Sequence, residues 1–123
     1  MKIKELMKKP IVIEKDITIS DAAKVMTKYS INSLIVEKNG DIIGIITHHD
    51  LIKYFGENKR VFEVMTKEVF ALKDDDKIQK AVELSKKRGI GIFPVIDSRG
   101  KIVGVLDSKD LLKVWDTDDF LIE

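Results

Sequence analysis

Cysteine is absent from this sequence of 123 residues, and other features that would mark a specialised class of protein are also scarce. Without cysteine there is no disulfide, thiolate metal ligand or cysteine nucleophile, and a reducing cytosol is compatible with the composition. The net charge is only +1, which favours neither nucleic acid nor a membrane surface. No apolar stretch reaches the roughly 20 residues of a membrane-spanning helix, and residues 1–5 lack the apolar core of a signal peptide. We therefore expect a cytoplasmic location and no membrane partner.

The residues that are present predict a folded globular domain. Apolar residues make up 44% of the sequence and charged residues 35%, a mixture typical of soluble folded proteins rather than disordered ones. A chain of this length is one ordinary domain that can bury a hydrophobic core.

The most informative stretch runs from Gly44 to Asp50. A β-branched run predicts a buried strand, and Thr47-x-x-Asp50 then predicts the start of a helix, because this spacing forms a capping box. The same pattern returns from Gly104 to Asp110. Since shorter matches flank both copies, we interpret the chain as a duplication of one unit.

Each copy is predicted to have the order β-α-β-β-α. The first helix of each copy has an expected capping box, Thr18-x-x-Asp21 and Asp76-x-x-Gln79, and expected ends near Ser30 and at Gly89. An Asn39-Gly40 pair predicts a tight hairpin between the last two strands. We place repeat one at about 3–56, repeat two at about 61–115, a linker at 56–60 and a tail at 116–123. One unit alone buries too little apolar surface to be secure, so we expect the two repeats to form one domain over 1–123.

Two segments carry a resemblance to a known family. They are INSLIVEKNGDIIGIITHHDL and IGIFPVIDSRGKIVGVLDSKDL, preceded by LMKK and VMTKE. Together they resemble a tandem pair of CBS (cystathionine beta-synthase) domains, also called a Bateman module, over nearly the whole chain. The resemblance implies an α/β (α+β) fold, in which two β-α-β-β-α repeats pack with pseudo-twofold symmetry and helices cover small mixed sheets. It also implies two clefts between the repeats that bind AMP, ADP, ATP or S-adenosylmethionine.

The resemblance further implies roles for particular residues. In the family pattern the aspartate at the helix start binds the ribose hydroxyls, a preceding Thr or Ser lies near ribose and phosphate, and neighbouring strands hold the adenine. For the first cleft the corresponding residues are Thr47, Asp50, Val69, Phe70, Ile92 and Phe93. For the second cleft they are Ser108, Asp110, Ile11, Val12, Ser33 and Leu34.

Elementary chemistry is consistent with these roles. A carboxylate can accept one hydrogen bond per oxygen from a vicinal diol, and a helix N-terminus suits phosphate. The second copy departs from the pattern, because Asp107 stands where the first copy has Thr47, and a second carboxylate would repel phosphate. Ser108 is a partial substitute. Basic residues are missing before the strands at 33 and 92, so phosphate neutralisation falls to His48, His49, Lys109 or a second chain.

Other interpretations stay open from the residues. Helix capping alone can explain Thr47-x-x-Asp50 and Asp107-x-x-Asp110, because both motifs are good capping boxes whether or not a ligand binds. His48-His49 does not predict a metal site, because no third ligand joins the pair. We find no nucleophile with a base and no Walker-type loop, so we do not expect an enzyme.

The sequence therefore favours a regulatory module that senses an adenosyl ligand and requires no cofactor. It would act on a partner enzyme or transporter through a homodimer, and the alternative is a ligand-free dimerisation scaffold. The expected dimer surface comprises Leu51, Ile52, Phe55, Leu111, Leu112 and Trp115.

Overall fold

The structure is a computed structural model, and it describes residues 1–115. The chain forms two compact units. The first-repeat unit is Ile11–Val69, and the second-repeat unit combines Met1–Pro10 with the chain from Phe70 onward. The predicted tail at 116–123 lies outside the described residues, as does the side chain of Trp115.

The first-repeat unit contains one small mixed sheet with the strand order β1-β2-β3. Strand β1 runs parallel to β2, and β3 runs antiparallel to it. The elements are β1 (Val12–Ile13), α1 (Ile19–Tyr29), β2 (Ser33–Lys38), β3 (Asp41–Thr47), α2 (His48–Lys53) and α3 (Val61–Val64).

The second-repeat unit has the same plan, with strand order β4-β5-β6 and the same parallel and antiparallel pairings. Its elements follow a short 3-10 turn at Ile3–Glu5; they are β4 (Leu72–Lys73), α4 (Ile78–Arg88), β5 (Ile92–Ile96), β6 (Ile102–Asp107) and α5 (Ser108–Trp115). The predicted β-α-β-β-α order and the mixed α+β class are confirmed. The first strand of each copy is only two residues long.

Local signals fix most element boundaries. Asn39 and Gly40 both have positive φ, 53° and 85°, as a tight hairpin between right-twisted strands requires. Helix α1 begins where Thr18 Oγ1 accepts a hydrogen bond from the Asp21 N–H at 3.1 Å. It ends at Ser30, and α4 ends at Gly89; both of these residues have left-handed backbones.

The capping box predicted at Asp76-x-x-Gln79 is wrong. The residue before α4 is Lys77, and its side chain makes no capping hydrogen bond. The Asp76 carboxylate instead accepts a hydrogen bond from the Lys73 N–H at 2.9 Å and contacts the Lys80 ammonium at 3.3 Å. Asp76 therefore stabilises the turn before α4 and does not cap the helix. Within the described chain, Gln79 Oε1 is buried without a hydrogen-bond partner.

Each unit has its own hydrophobic core between its sheet and helices. The cores consist of the following buried residues: Ile19, Ala22, Met26, Leu34, Val36, Ile46, Val61 and Val64 in the first-repeat unit; and Ile3, Leu72, Ile78, Ala81, Val82, Phe93, Val95, Leu106, Leu111 and Val114 in the second.

The short segment that begins each repeat completes the unit of the other repeat. In the second-repeat unit, Lys8 and Val105 exchange two backbone hydrogen bonds of 2.9 Å. In the first-repeat unit, Thr66 and Ile45 exchange the equivalent pair at 2.8 and 2.9 Å. Each segment thus lies along the last strand of the sheet that it completes.

A methionine of each segment packs over a glycine of that strand. A Cβ at Gly104 would lie 2.5 Å from Met7 Sδ, and a Cβ at Gly44 would lie 2.5 Å from Met65 Sδ. Only glycine leaves room for the methionine, which explains why the glycine recurs in both repeats.

Candidate functional site

The strand–helix junction of the first-repeat unit brings Thr47 and Asp50 together. Asp50 Oδ2 accepts hydrogen bonds from the Thr47 N–H at 2.9 Å and from Thr47 Oγ1 at 3.1 Å, and the Asp50 N–H donates to Thr47 Oγ1 at 3.4 Å. The predicted capping box is confirmed. Within residues 1–115, the other oxygen of Asp50, Oδ1, has no hydrogen-bond or ion-pair partner. The carboxylate is half-buried and retains an oxygen with which it can accept hydrogen bonds.

The equivalent junction of the second-repeat unit is closed differently. Asp110 Oδ2 accepts from the Asp107 N–H at 3.1 Å, and Asp107 Oδ1 accepts from the Asp110 N–H at 2.9 Å, so the two aspartates cap α5 reciprocally. The Asp110 side chain is only 1% exposed. Oδ1 of Asp110 is buried, and Lys8 Nζ lies 2.9 Å from it. This contact is an ion pair whose angles fall outside those of a hydrogen bond. Lys113 Nζ lies 3.6 Å from the same oxygen.

These contacts change the acidity of both partners. Burial raises the pKa of Asp110, but the contact with Lys8, the Asp107 N–H and the charge of Lys113 outweigh burial, so the pKa lies below its ordinary value. The contact with Asp110 is the main cause that raises the pKa of Lys8 above its ordinary value. Both shifts favour the charged forms, so this pair is ionised at neutral pH.

The strands next to each junction position the remaining candidate residues. In the first-repeat unit, Ser33 is in register with Thr47, and the His48 N–H donates to the Asn32 carbonyl at 3.0 Å. Val12 is in register with Ile35, whose N–H donates to the Ile11 carbonyl at 3.0 Å, and Ser33 is buried. The structure therefore gathers Ile11, Val12, Ser33, Leu34, Thr47, Asp50 and Val69 within one unit.

The second-repeat unit contains the other candidates. Ile92 is in register with Asp107, and the Ser108 N–H donates to the Gly91 carbonyl at 2.9 Å. The Arg88 guanidinium lies 5.3 Å from the ring centre of Phe70. Phe93, like Leu34 in the other unit, is fully buried in the hydrophobic core of its unit.

The side chains expected to neutralise phosphate lie on the surface. His48 and His49 are exposed, with ring centres 5.7 Å apart, and Lys109 is exposed as well. Over residues 1–115, no group of three His, Asp or Glu side chains is placed to hold a metal ion. None of the helices in that range is long and apolar enough to cross a bilayer.

Sequence reasoning did not identify Lys8 as a member of the site. The available signal was the position of the LMKK motif, since Lys8 in the first copy corresponds to Thr66 in the second. The counterparts of Lys8 and Asp107 in the other copy, Thr66 and Thr47, are both uncharged.

The exposed apolar side chains agree only in part with the predicted dimer surface. Phe55 is 88% exposed, Ile52 is 68% exposed and Leu112 is 65% exposed. Leu111 is buried in the core of the second-repeat unit, so its assignment to a surface is wrong. In the first-repeat unit a groove of about 510 Å³ is lined by Ile19, Ser20, Ala23, Leu51, Phe55, Gly56, Glu57 and Asn58.

Comparison with curated proteins shows that similar segments occur within enzymes. The chain is 34% identical over 112 residues to the L-aspartate semialdehyde sulfurtransferase of Methanocaldococcus jannaschii, which covers 89% of this chain and 22% of that protein. It is 35% identical over 109 residues to the inosine-5'-monophosphate dehydrogenase of the same organism, which covers 88% of this chain and 22% of the enzyme. The chain therefore spans about a fifth of the length of these relatives.

Solved structures share the fold. The CBS domain pair of protein MJ0100, in complex with 5′-methylthioadenosine and S-adenosyl-L-methionine, matches with a TM-score of 0.84 and 30% identity over 94% of this chain and 95% of that chain. The CBS domain protein PAE2072 of Pyrobaculum aerophilum, complexed with AMP, has a TM-score of 0.83 over 99% and 96% of the two chains, but at 18% identity it shows the fold alone. The family model described as CBS domain matches residues 3–57 and 61–116. This chain thus belongs to the CBS domain family, of which it carries a tandem pair.

Proposed function

We propose that this CBS pair is a regulatory module that binds an adenosyl ligand through the ribose hydroxyls, with Asp50 as the principal acceptor. The observation that carries the proposal is the half-buried Asp50 carboxylate, held in place by Thr47 through one oxygen while the other has no partner in residues 1–115. A fixed carboxylate with a free oxygen is suited to a diol, because its orientation costs no further entropy on binding. The complex of the MJ0100 pair, at 30% identity, supports an adenosyl ligand.

The residues beside the two carboxylates suggest different preferences for the 5′ group of the ligand. Thr47 is uncharged and has the exposed His48 and His49 after it, which is compatible with a phosphate or with a sulfonium. Asp107 places a second carboxylate beside Asp110, which repels phosphate and favours an uncharged thioether or a sulfonium cation. We therefore expect the Asp110 site to accept S-adenosylmethionine or 5′-methylthioadenosine but not the phosphorylated ligands, and the Asp50 site to accept AMP, ADP or ATP as well as these two ligands.

The regulatory action follows from differential affinity. A ligand shifts a protein between two arrangements only by as much as it binds one arrangement more tightly than the other. The chain spans about a fifth of enzymes such as inosine-5'-monophosphate dehydrogenase, which supports an enzyme as the regulated partner, and a transporter is the other expected class. The module itself supplies binding and no catalysis.

Calorimetry tests this function. We expect saturable binding of at least one of S-adenosylmethionine, 5′-methylthioadenosine, AMP or ATP. In Asp50→Ala the affinity of the Asp50 site should fall by roughly 100-fold. This loss corresponds to about 3 kcal/mol, the value of one or two hydrogen bonds to a charged group. Asp41→Ala, which removes an exposed aspartate from the hairpin of the same unit, is the matched control and should bind like the wild type.

The alternative function is a scaffold that dimerises without ligand. It predicts no binding heat with any of the four compounds, and it attributes the Thr47–Asp50 contacts to helix capping alone. Equal affinity of the wild type and Asp50→Ala would likewise contradict the proposed role of Asp50.

We also propose a homodimer that uses the exposed apolar residues of the first-repeat unit. Phe55 and Ile52 expose large side chains, and Phe55 lies at the rim of the 510 Å³ groove beside α1. Phe55→Glu should shift the sedimentation coefficient from that of a dimer towards that of a monomer, because a charge in an apolar interface loses its solvation. Lys38→Glu, on the hairpin, is the control, and a wild type that sediments as a monomer would contradict the proposal.

A further inference from the structure

Asp50 and Asp110, the two carboxylates proposed to bind the ligand, occupy the same place in units of the same design. Each follows the last strand of its sheet and caps the helix that follows. In each unit, the segment that begins the other repeat lies along that strand with its methionine over a glycine, Met7 over Gly104 and Met65 over Gly44. The residue after the methionine exchanges backbone hydrogen bonds with that strand in both units: Lys8 in one, Thr66 in the other. Differences between the sites can therefore be attributed to a few side chains.

One such difference is the charge at the residue after the methionine. Lys8 extends to Asp110, where its ammonium lies 2.9 Å from Oδ1, while Oδ2 is already used by the Asp107 N–H. Thr66 carries no charge, and the ion pairs of residues 1–115 include none to Asp50. The oxygen that is free in Asp50 is thus covered by a lysine in Asp110.

We propose that Lys8 is an internal competitor of the ligand, and that it makes the Asp110 site weaker than the Asp50 site by occupying the oxygen that a ribose hydroxyl needs. This inference rests on the proposed function, since it concerns the relative affinity of the two adenosyl sites. It identifies Lys8 as a residue that sets affinity, and Thr66 as its permissive counterpart.

The surroundings of Lys8 make displacement feasible. The Lys8 side chain is 54% exposed, whereas the Asp110 side chain is 1% exposed, so the ammonium can return to water when a hydroxyl replaces it. Lys113, at 3.6 Å from the same oxygen, remains to compensate the buried charge. Ion pairs with one exposed partner contribute little net free energy, so the expected penalty to ligand affinity is about fivefold to tenfold.

The test exchanges the two side chains and measures binding of 5′-methylthioadenosine, whose 5′ group is uncharged and therefore reports the ribose contact. In an Asp50→Ala background the measured binding is that of the Asp110 site alone. In this background Lys8→Thr should raise the affinity of the Asp110 site for 5′-methylthioadenosine by about fivefold to tenfold. Lys9→Thr removes the same charge from the neighbouring exposed residue and should leave the affinity unchanged. In the otherwise unaltered chain, Thr66→Lys should weaken the tighter site by a similar factor.

The direction of the change separates competition from a structural role. Lys8→Thr should lower the unfolding temperature while it raises affinity, whereas a lysine that only supports the site would lower both. Unchanged or weaker binding in Lys8→Thr, or an unchanged tight site in Thr66→Lys, overturns the inference while binding by the wild type upholds the proposed function. Absence of binding to the wild type overturns both.

Discussion

Replacement of Phe93 by alanine is expected to lower the free energy of unfolding by about 3–5 kcal/mol. Phe93 is completely buried in β5, the central strand of its sheet, and is in register with the equally buried Leu106. Alanine would remove the ring from a core that has closed around it, and the remaining cavity adds to the loss of transfer free energy. Since a domain of this size is stable by only about 5–15 kcal/mol, the expected loss is a large share of the total.

Urea unfolding followed by circular dichroism measures this effect. Phe93→Leu is the matched control, because it keeps an apolar side chain of similar length and should cost clearly less than alanine. The alanine variant should show a lower midpoint with a similar slope. An unchanged midpoint for Phe93→Ala would show that the ring is not part of the core.

The second large effect is expected from Asp110→Asn, which should cost about 1–3 kcal/mol at pH 7. The substitution removes the charge that Lys8 and Lys113 contact, while an amide oxygen can still accept from the Asp107 N–H. Loss of one member of a fully buried pair costs more, about 3–5 kcal/mol, but Lys8 is half exposed and can be solvated.

The pH dependence of this difference follows from the two pKa shifts. Because the pKa of Asp110 is lowered in the folded protein, its contribution is present above the unfolded value of about 3.9 and is lost as the pH falls through the folded pKa. Because the pKa of Lys8 is raised, its contribution is present below about 10.4 and is lost as the pH rises through the folded value. The difference in stability between the wild type and Asp110→Asn should therefore begin to narrow as the pH falls below about 4 and as it rises above about 10.4.

Urea midpoints at acidic, neutral and alkaline pH test this expectation. Asp50→Asn makes the same substitution at the equivalent position of the first-repeat unit, where the described residues provide no ion pair, and it should cost less at pH 7. A difference between wild type and Asp110→Asn that stays constant from pH 3 to pH 7 would contradict the assigned ion pair.

Features governed by neighbours in sequence were predictable. The caps at Thr47 and Asp107, the Asn39-Gly40 hairpin and the helix end at Gly89 each depend on residues within a turn of one another, and all are confirmed. The duplication added a second, independent appearance of each signal. Both the fold class and the order of the elements could therefore be predicted from the sequence.

Features governed by distant residues were not predictable. The Lys8–Asp110 ion pair joins opposite ends of the described chain, and no local pattern indicates it. The cap expected at Asp76 failed because the backbone N–H of Lys73 competes for the same carboxylate. Leu111 was misassigned because helical periodicity gives an apolar stripe without saying which of two adjacent leucines, 111 or 112, lies under the sheet.

The exchange of the short segments that begin the two repeats has a consequence for how such modules are inherited. A gene fragment that encodes only repeat one would carry Met1–Pro10, which its own sheet does not use, and would lack Val61–Val64, which supplies core residues to that sheet. Neither half can be transplanted without leaving a hole in its own interior. Recombination between genes should therefore transfer the two repeats together. A single repeat fused to another protein should misfold.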